Sequence, residues 1–424
     1  MNQTAAGIAD LNDDALLEQI QRQTFAFFWD GGHPGTGLAP DRRQVTGGPI
    51  DDDLVAIGGS GFGLMATVVA IERGWVSRAQ GLMRLTAMVG ALARARRHHG
   101  AWPHFMNGAT GETIAFGPLD DGGDLVETSF LCMGLICVRQ YLDNHDGTEA
   151  RLGEQIDRLL DGVEWDWYAR GDTRCLYWHW SPVHGWAMNH EIRGWNECLI
   201  TYVMAIASRT HGVDPAIYHN GYAAGPHFLN GSSYYDIVMP LGMPFGGPLF
   251  FTHYSFCGLD PRGLTDRYAN YWDLNRRQVA IQQEHARRNP GRFSGYGMHN
   301  WGLTASDDPD GYAAHDPAND NGTISPTAAL SSMPYAPGAA LAAARYWLRR
   351  PDTHSLWQRF GFIDAFNDTR GWQAEYFLAI DQGPIVVMIE NHRSALLWRL
   401  FMSSPMVQKA LRAMDFHGPW LNDA

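Results

Sequence analysis

Lysine is almost missing from this chain: Lys409 stands alone among 424 residues, and the net charge is −13. A surface of that sign repels phosphate backbones and anionic lipid, so neither nucleic acid nor a membrane is an expected partner. A neutral polymer meets no such opposition. No uncharged apolar run is long enough to span a bilayer, and mean hydropathy is −0.27. The amino terminus lacks a basic start and an apolar stretch. As written, the chain is therefore expected in the cytoplasm, or in the periplasm or outside the cell if an export signal has been removed. Cysteine is scarce. Cys132, Cys137, Cys175, Cys198 and Cys257 are odd in number and form no CxxC pair, which excludes a disulfide framework or a zinc cluster as the organising device. Period-two alternation is rare, which argues against a β-rich fold, with residues 174–180 as the one candidate strand. There is no GxSxG elbow. The glycine-rich stretch 58–63 matches neither a dinucleotide fingerprint nor a phosphate loop, so its glycines point to tight packing or close approach of a ligand. His179, His184 and His190 fit no common ligand spacing, and no metal or organic cofactor is expected.

What remains is a globular composition, 45% hydrophobic and 18% charged, with sixteen tryptophans. Many of these indoles adjoin Gly, His, Asn and Asp in apparent loops, where flat faces could stack on sugar rings as well as fill a core. Two kinds of segment alternate. Amphipathic helices with charged positions are expected near 14–29, 77–97, 154–168, 265–287, 337–349 and 394–414. Nearly charge-free segments follow at 61–71, 125–138, 198–207, 248–256, 326–332 and 384–389. A helix apolar on every side must be buried on every side, whereas an amphipathic one faces water. The alternation therefore predicts an all-α fold, an inner ring of helices inside an outer ring: an (α/α)6 barrel formed by a single domain over residues 1–424.

Six long connections, 38–58, 101–123, 171–195, 212–247, 289–325 and 364–381, each lead into an inner segment and should gather at one mouth. Three of them deliver acids. Asp120, Asp124 and Glu127 fall at i, i+4 and i+7, and would share one helical face if the helix extended back to Asp120. Asp124 and Glu127 also have the spacing of a capping box, but four carboxylates in eight residues exceed what a cap needs, and crowded acids raise one another's pKa. Glu197 is the one acid at the entrance of a charge-free helix. It could serve the helix dipole, although Asn196 could cap that helix unaided. Asp381 precedes Pro384, either as an ordinary cap just outside the helix or as a third acid at a third inner entrance.

Taken together, the segments TFAFFWD, GGSGFGLMA, WPHFMNG, DDGGDLVETSFL, EWDWY, LYWHWSP, RGWNECLITYVMAIAS, HYSFCGLDPRG, NWGLTASD, NGTISPTAALSSMPY and YFLAIDQGPIVVMIENHRS resemble glycoside hydrolase family 144, the bacterial endo-β-1,2-glucanases with a glycoamylase-like domain. The resemblance runs from about Phe25 to Met414. It implies an (α/α)6 barrel and an inverting hydrolase of β-1,2-glucan that releases sophorose or short sophorooligosaccharides. The catalytic acids it implies are Asp120, Asp124, Glu127 and Glu197, with Asp381 as the base of a related clan member. On this basis Glu197 is expected to be the acid and Asp381 the base, with Asp124 and Glu127 holding hydroxyls or tuning the pair. Trp102, His104, Trp180, Arg193, Asn196, His253, Tyr254, Arg267, Trp301 and Asp307 are expected to line the cleft and bind sugar. Transglycosylation, exo-acting release of sophorose and non-catalytic glucan binding remain the alternatives.

Overall fold

Helices that are amphipathic and helices that are apolar all round alternate along the chain and pack as two layers. The computed structural model describes residues 5–48, 53–171, 174–351 and 355–421, so part of the connection 38–58 lies outside the described residues. The outer layer comprises α2 (Asp13–Trp29), α4 (Arg78–Arg94), α6 (Gly147–Asp161), α8 (Tyr271–Arg288) and α10 (Pro337–Leu348), with the short α1 (Ala5–Ala9) against α10. In α4, Ser77 and Gln80 form a reciprocal capping box, and Leu85, Met88, Val89 and Leu92 give the buried stripe. The inner layer is α3 (Ile57–Glu72), α5 (Leu125–Tyr141), α7 (Leu199–Ala207), α9 (Pro326–Leu330) and α11 (Ala379–Ser394). Nearly every residue of α3 and α5 is buried.

Glycine lets the inner helices touch. Gly61 and Gly134 face each other across α3 and α5. A Cβ on Gly134 would meet the Gly61 carbonyl oxygen at 2.2 Å, and one on Gly61 would meet that of Phe130 at 2.4 Å. Inner neighbours then follow chain order, α3 on α5 and α5 on α7, and α11 closes back on both α9 and α3.

Residues 248–256, expected as an inner helix, instead form two 3-10 turns, Leu249–Thr252 and Ser255–Cys257. Side chains replace the missing α-helical ladder. Gln278 donates to the carbonyls of Gly247 and Pro248 (3.1 and 3.0 Å), Tyr335 donates to the Thr252 carbonyl (3.0 Å), and Ser255 accepts from Ile200 N (3.0 Å). The segment expected at 394–414 is two helices, α12 (Leu396–Met402) and α13 (Pro405–Ala413), because Pro405 can begin a helix but not continue one. They pack on α5 and α7, respectively. Helix α6 lies earlier than expected, capped by Asp146 and ended at Gly162.

Strands are confined to short antiparallel pairs, and no sheet among the described residues exceeds three strands. Residues 174–180 contain two strands with different partners: Leu176–Tyr177 pairs with Glu191–Ile192, and His179–Trp180 pairs with Gly123–Asp124. The pairs Arg42–Gln44 with Tyr376–Leu378 and Ala305–Asp308 with Gly311–Ala314 complete the frame around the acidic residues. No helix among the described residues is long and apolar enough to cross a membrane.

Candidate active site

Side chains at the starts of the inner helices converge. Asp124 is the N-cap of α5, its carboxylate accepting from Val126 N and Glu127 N at 3.0 and 2.9 Å, so the capping role is real. Its other oxygen accepts from His104 Nδ1 at 3.0 Å, and His179 Nε2 lies 3.7 Å away. Glu127, one turn into α5, accepts from Gly58 N at 2.7 Å and so ties α5 to the first turn of α3. A Cβ on Gly58 would sit 2.5 Å from that carboxylate oxygen. Asp120 lies 3.4 Å from His179 Nε2. Glu197 precedes α7 and is half-buried. Asn196 Oδ1 accepts from Cys198 N (3.0 Å), but Cys198 is the N-cap and no side chain caps the helix, so the expected Asn196 cap does not form.

The environment sorts these acids. Burial pushes Glu127 up to about 7, with Asp124 adding to the rise. Burial likewise holds Glu197 at about 7, with Glu127 and Asp124 contributing. Asp120 is raised to about 6 by burial and then by Asp124. For Asp124, burial is outweighed by the bond from His104 and by the nearby His179, so its carboxyl stays below the usual range. Burial alone would lower His104, but Glu127, Asp124 and Asp120 hold the imidazole up at about 9. This is a crowded acid cluster organised around one imidazolium.

A second acidic group forms around Asp381. It lies in the first turn of α11, whose N-cap is Leu378, so the expectation of an ordinary cap outside the helix does not hold. Asp381 is 3% exposed, and neither of its oxygens has an N–H or O–H donor among the described residues. What faces it is the carboxyl of Asp364, in a small cavity shared with Thr327, Gln382 and Ile385. Asp364 accepts from Asp307 N at 2.7 Å, and Arg42 Nη1 lies 3.5 Å from Asp307. Burial, then Asp364, drive Asp381 well above the carboxylate range, and burial followed by Asp307 brings Asp364 to about 7.

The two groups adjoin. Tyr254 is 6% exposed, stacked on Phe250 at 5.2 Å, and within electrostatic reach of Asp381, Glu197 and Glu127. Asp41 reaches both Glu127 and Asp381. Glu197 and Asp381 thus share one tyrosine neighbour.

Several expected sugar contacts are elsewhere. Trp102 and Trp301 are fully buried, so neither can offer a face to a ligand. Trp102 donates to the Leu92 carbonyl (3.2 Å) beneath the Arg97 guanidinium. His253 is also buried and bonded to Ser332 at 2.9 Å, and burial lowers it to about 3, so it braces the 3-10 segment against the residues after α9. Arg267 is exposed and bound to Asp415 (2.9 Å) and His219 (3.0 Å), tied to the chain end rather than to either carboxylate group. Arg193 is half-buried, its guanidinium held by Glu191 and the carbonyls of Gly221 and Ala224. His104, Trp180 and Asp307 do lie at the clusters. Missed by sequence reasoning were Asp364, Asp41, Arg42 and two exposed aromatics. Phe116 is 58% exposed, with its ring 4.4 Å from that of His104. Tyr312 is 53% exposed, pairs in register with Asp307, and lies within electrostatic reach of Asp381.

One atom each of His104, Asp120 and Asp124 lie within 4.8 Å of one another, a spacing a cation could use. Here His104 Nδ1 and Asp124 stand 3.0 Å apart, an ion pair whenever the imidazole is protonated.

Residues 189–405 match the Glycoamylase family, described as "Putative glucoamylase". A solved endo-β-1,2-glucanase from Chitinophaga pinensis, in complex with sophorotriose and glucose, is 49% identical, with TM-score 0.94, covering 97% of this chain and all of that one. The chain belongs to glycoside hydrolase family 144. A curated relative, the exo β-1,2-glucooligosaccharide sophorohydrolase (non-reducing end) of Parabacteroides distasonis, is 43% identical over 96% of this chain. The chain spans 58% of that relative's length. The solved β-1,2-glucanase from Parabacteroides distasonis is 42% identical, with TM-score 0.91, over 96% of this chain and 60% of its own. This family 144 chain therefore shares its fold at full length with the Chitinophaga enzyme and forms part of the length of the Parabacteroides proteins.

Proposed function

We propose that this protein hydrolyses β-1,2-glucan with inversion, using carboxylates from the two acidic groups. The observation that carries the reading is that two acidic groups both reach Tyr254, one holding Glu197 at about 7 and the other holding Asp381 against Asp364. An inverting glycosidase needs one protonated carboxyl at the leaving oxygen and one ionised carboxylate beside a water, roughly 6.5–9.5 Å apart. Glu197, near half-protonation at neutral pH, donates to the departing sugar oxygen. The Asp381–Asp364 pair, carrying one shared proton and one negative charge, keeps a site of high proton affinity that takes the proton from the attacking water. Water's oxygen then bonds to the anomeric carbon as the glycosidic bond breaks, and every proton is accounted for. Asp120, Asp124, Glu127 and His104 hold sugar hydroxyls and fix the field around Glu197. The linkage rests on the named substrates of the relatives.

Reducing-sugar release from β-1,2-, β-1,3-, β-1,4- and α-linked glucans, measured with one preparation, tests the reading. Activity confined to the β-1,2 polymer is expected, and cleavage of another linkage alone overturns it. Release of sophorose from a chain end is the second reading, favoured by the exo-acting relative. Brief digestion separates the two: a ladder of oligosaccharides marks endo cleavage, a single disaccharide marks exo.

A further inference from the structure

The EWDWY segment has no part in the mechanism above, yet it places an indole at the surface. Trp167 is 40% exposed, and one face lies flat on the His99 ring, 3.6 Å between centroids and 11° between planes. His99 is itself fixed by Glu164 at 3.0 Å, so the plate is rigid on its inner side. Trp186 lies 6.4 Å away at 30°, held beneath the Arg170 guanidinium. Both rings line a concavity of about 560 Å³ whose wall also includes Glu164, Asp166 and His211. That volume is within the roughly 300–1,000 Å³ of small-ligand pockets.

Aromatic faces rimmed by carboxylates, imidazole and guanidinium are the chemistry of a neutral sugar site. The axial C–H groups of a pyranose lie on indole, and its equatorial hydroxyls bond to the charged rim. The place is also informative. The Trp167 ring meets that of Trp180 at 6.1 Å, and the strand holding Trp180 pairs with Gly123–Asp124. Trp180 thus joins the pocket wall to the strand that carries Asp124, which puts the pocket beside the acidic cluster.

We propose that the pocket lined by Trp167 and Trp186 is a second glucan-binding site, holding a stretch of the polymer outside the cleavage centre. It rests on the proposed function for the identity of the sugar. It predicts a dependence on chain length: long glucan uses the pocket, whereas an oligosaccharide that fills only the cleavage centre does not.

The test compares wild type with Trp167→Ala and Trp186→Ala on long β-1,2-glucan and on the shortest sophorooligosaccharide cleaved. Each variant should raise KM for long glucan by about tenfold, with kcat and the short-substrate kinetics unchanged. Equal losses on both substrates, or no loss on either, overturn the proposal. Trp167→Tyr, which keeps a ring on His99, should give a smaller rise and guards against misfolding. Retardation in a gel cast with long β-1,2-glucan provides a readout independent of turnover: wild type is held back and Trp167→Ala runs freely. If wild type cleaves no β-1,2-glucan, the functional reading fails, while the gel still decides the site. Equal migration of wild type and variant overturns it.

Discussion

The Asp381 carboxyl faces that of Asp364 in one buried cavity, with no other donor to either Asp381 oxygen among the described residues. Burial and the neighbouring Asp364 carboxyl together raise the proton affinity of Asp381. Asp364→Asn removes a negative neighbour and lowers the proton affinity of Asp381. The acid limb of the kcat/KM pH profile should then move to lower pH, alongside a fall in activity. A loss of activity with an unmoved profile would mean that Asp364 only supports the fold.

Glu197→Gln keeps the shape of the side chain and removes its proton. Turnover should fall by about 10²–10⁴-fold with KM little changed, measured by reducing-sugar release. Retained wild-type turnover would reassign the acid.

Crowded acids also set the stability profile. Glu127, Glu197 and Asp364 are raised to about 7 and Asp120 to about 6, from ordinary values of 4.5 and 3.8. A raised group binds protons more tightly folded than unfolded. Its contribution is complete below the unfolded value and is lost as pH rises through the folded one. His104, raised from 6.5 to about 9, extends the loss upward, while Asp124, lowered, contributes in the opposite sense only in acid. Buried histidines, His253 at about 3 among them, act in the opposite sense below pH 6.5, so the comparison belongs above it. Tm should be higher at pH 7 than at pH 9 at fixed ionic strength, and Glu127→Gln should flatten the slope. A Tm that climbs with pH would contradict this balance.

Buried and exposed aromatics should separate cleanly. Trp102→Ala and Trp301→Ala each empty a core site and should cost about 3–5 kcal/mol in denaturant unfolding. Phe116→Ala and Tyr312→Ala should leave stability within about 0.5 kcal/mol while weakening substrate binding.

That contrast marks how far the sequence could be read. The helix alternation and the acids at 120, 124, 127, 197 and 381 were legible because each rests on short-range pattern: an apolar run with a carboxylate at its entrance. Trp102 and Trp301 misled because loops rich in glycine and histidine read as surface, whereas here they fold inward and are themselves covered. The Leu249–Cys257 turns resisted because side chains from distant segments, Gln278 and Tyr335, complete their hydrogen bonding. Asp364 was invisible for the same kind of reason. Its significance arises from Asp307 and Asp381, which meet it only in three dimensions.

The central claim is that a water, activated at the Asp381 side, displaces the sugar protonated from the Glu197 side. Proton NMR of the first reducing ends released from β-1,2-glucan, recorded before mutarotation, tests it most directly. The account predicts the α-anomer; initial appearance of the β-anomer would contradict it.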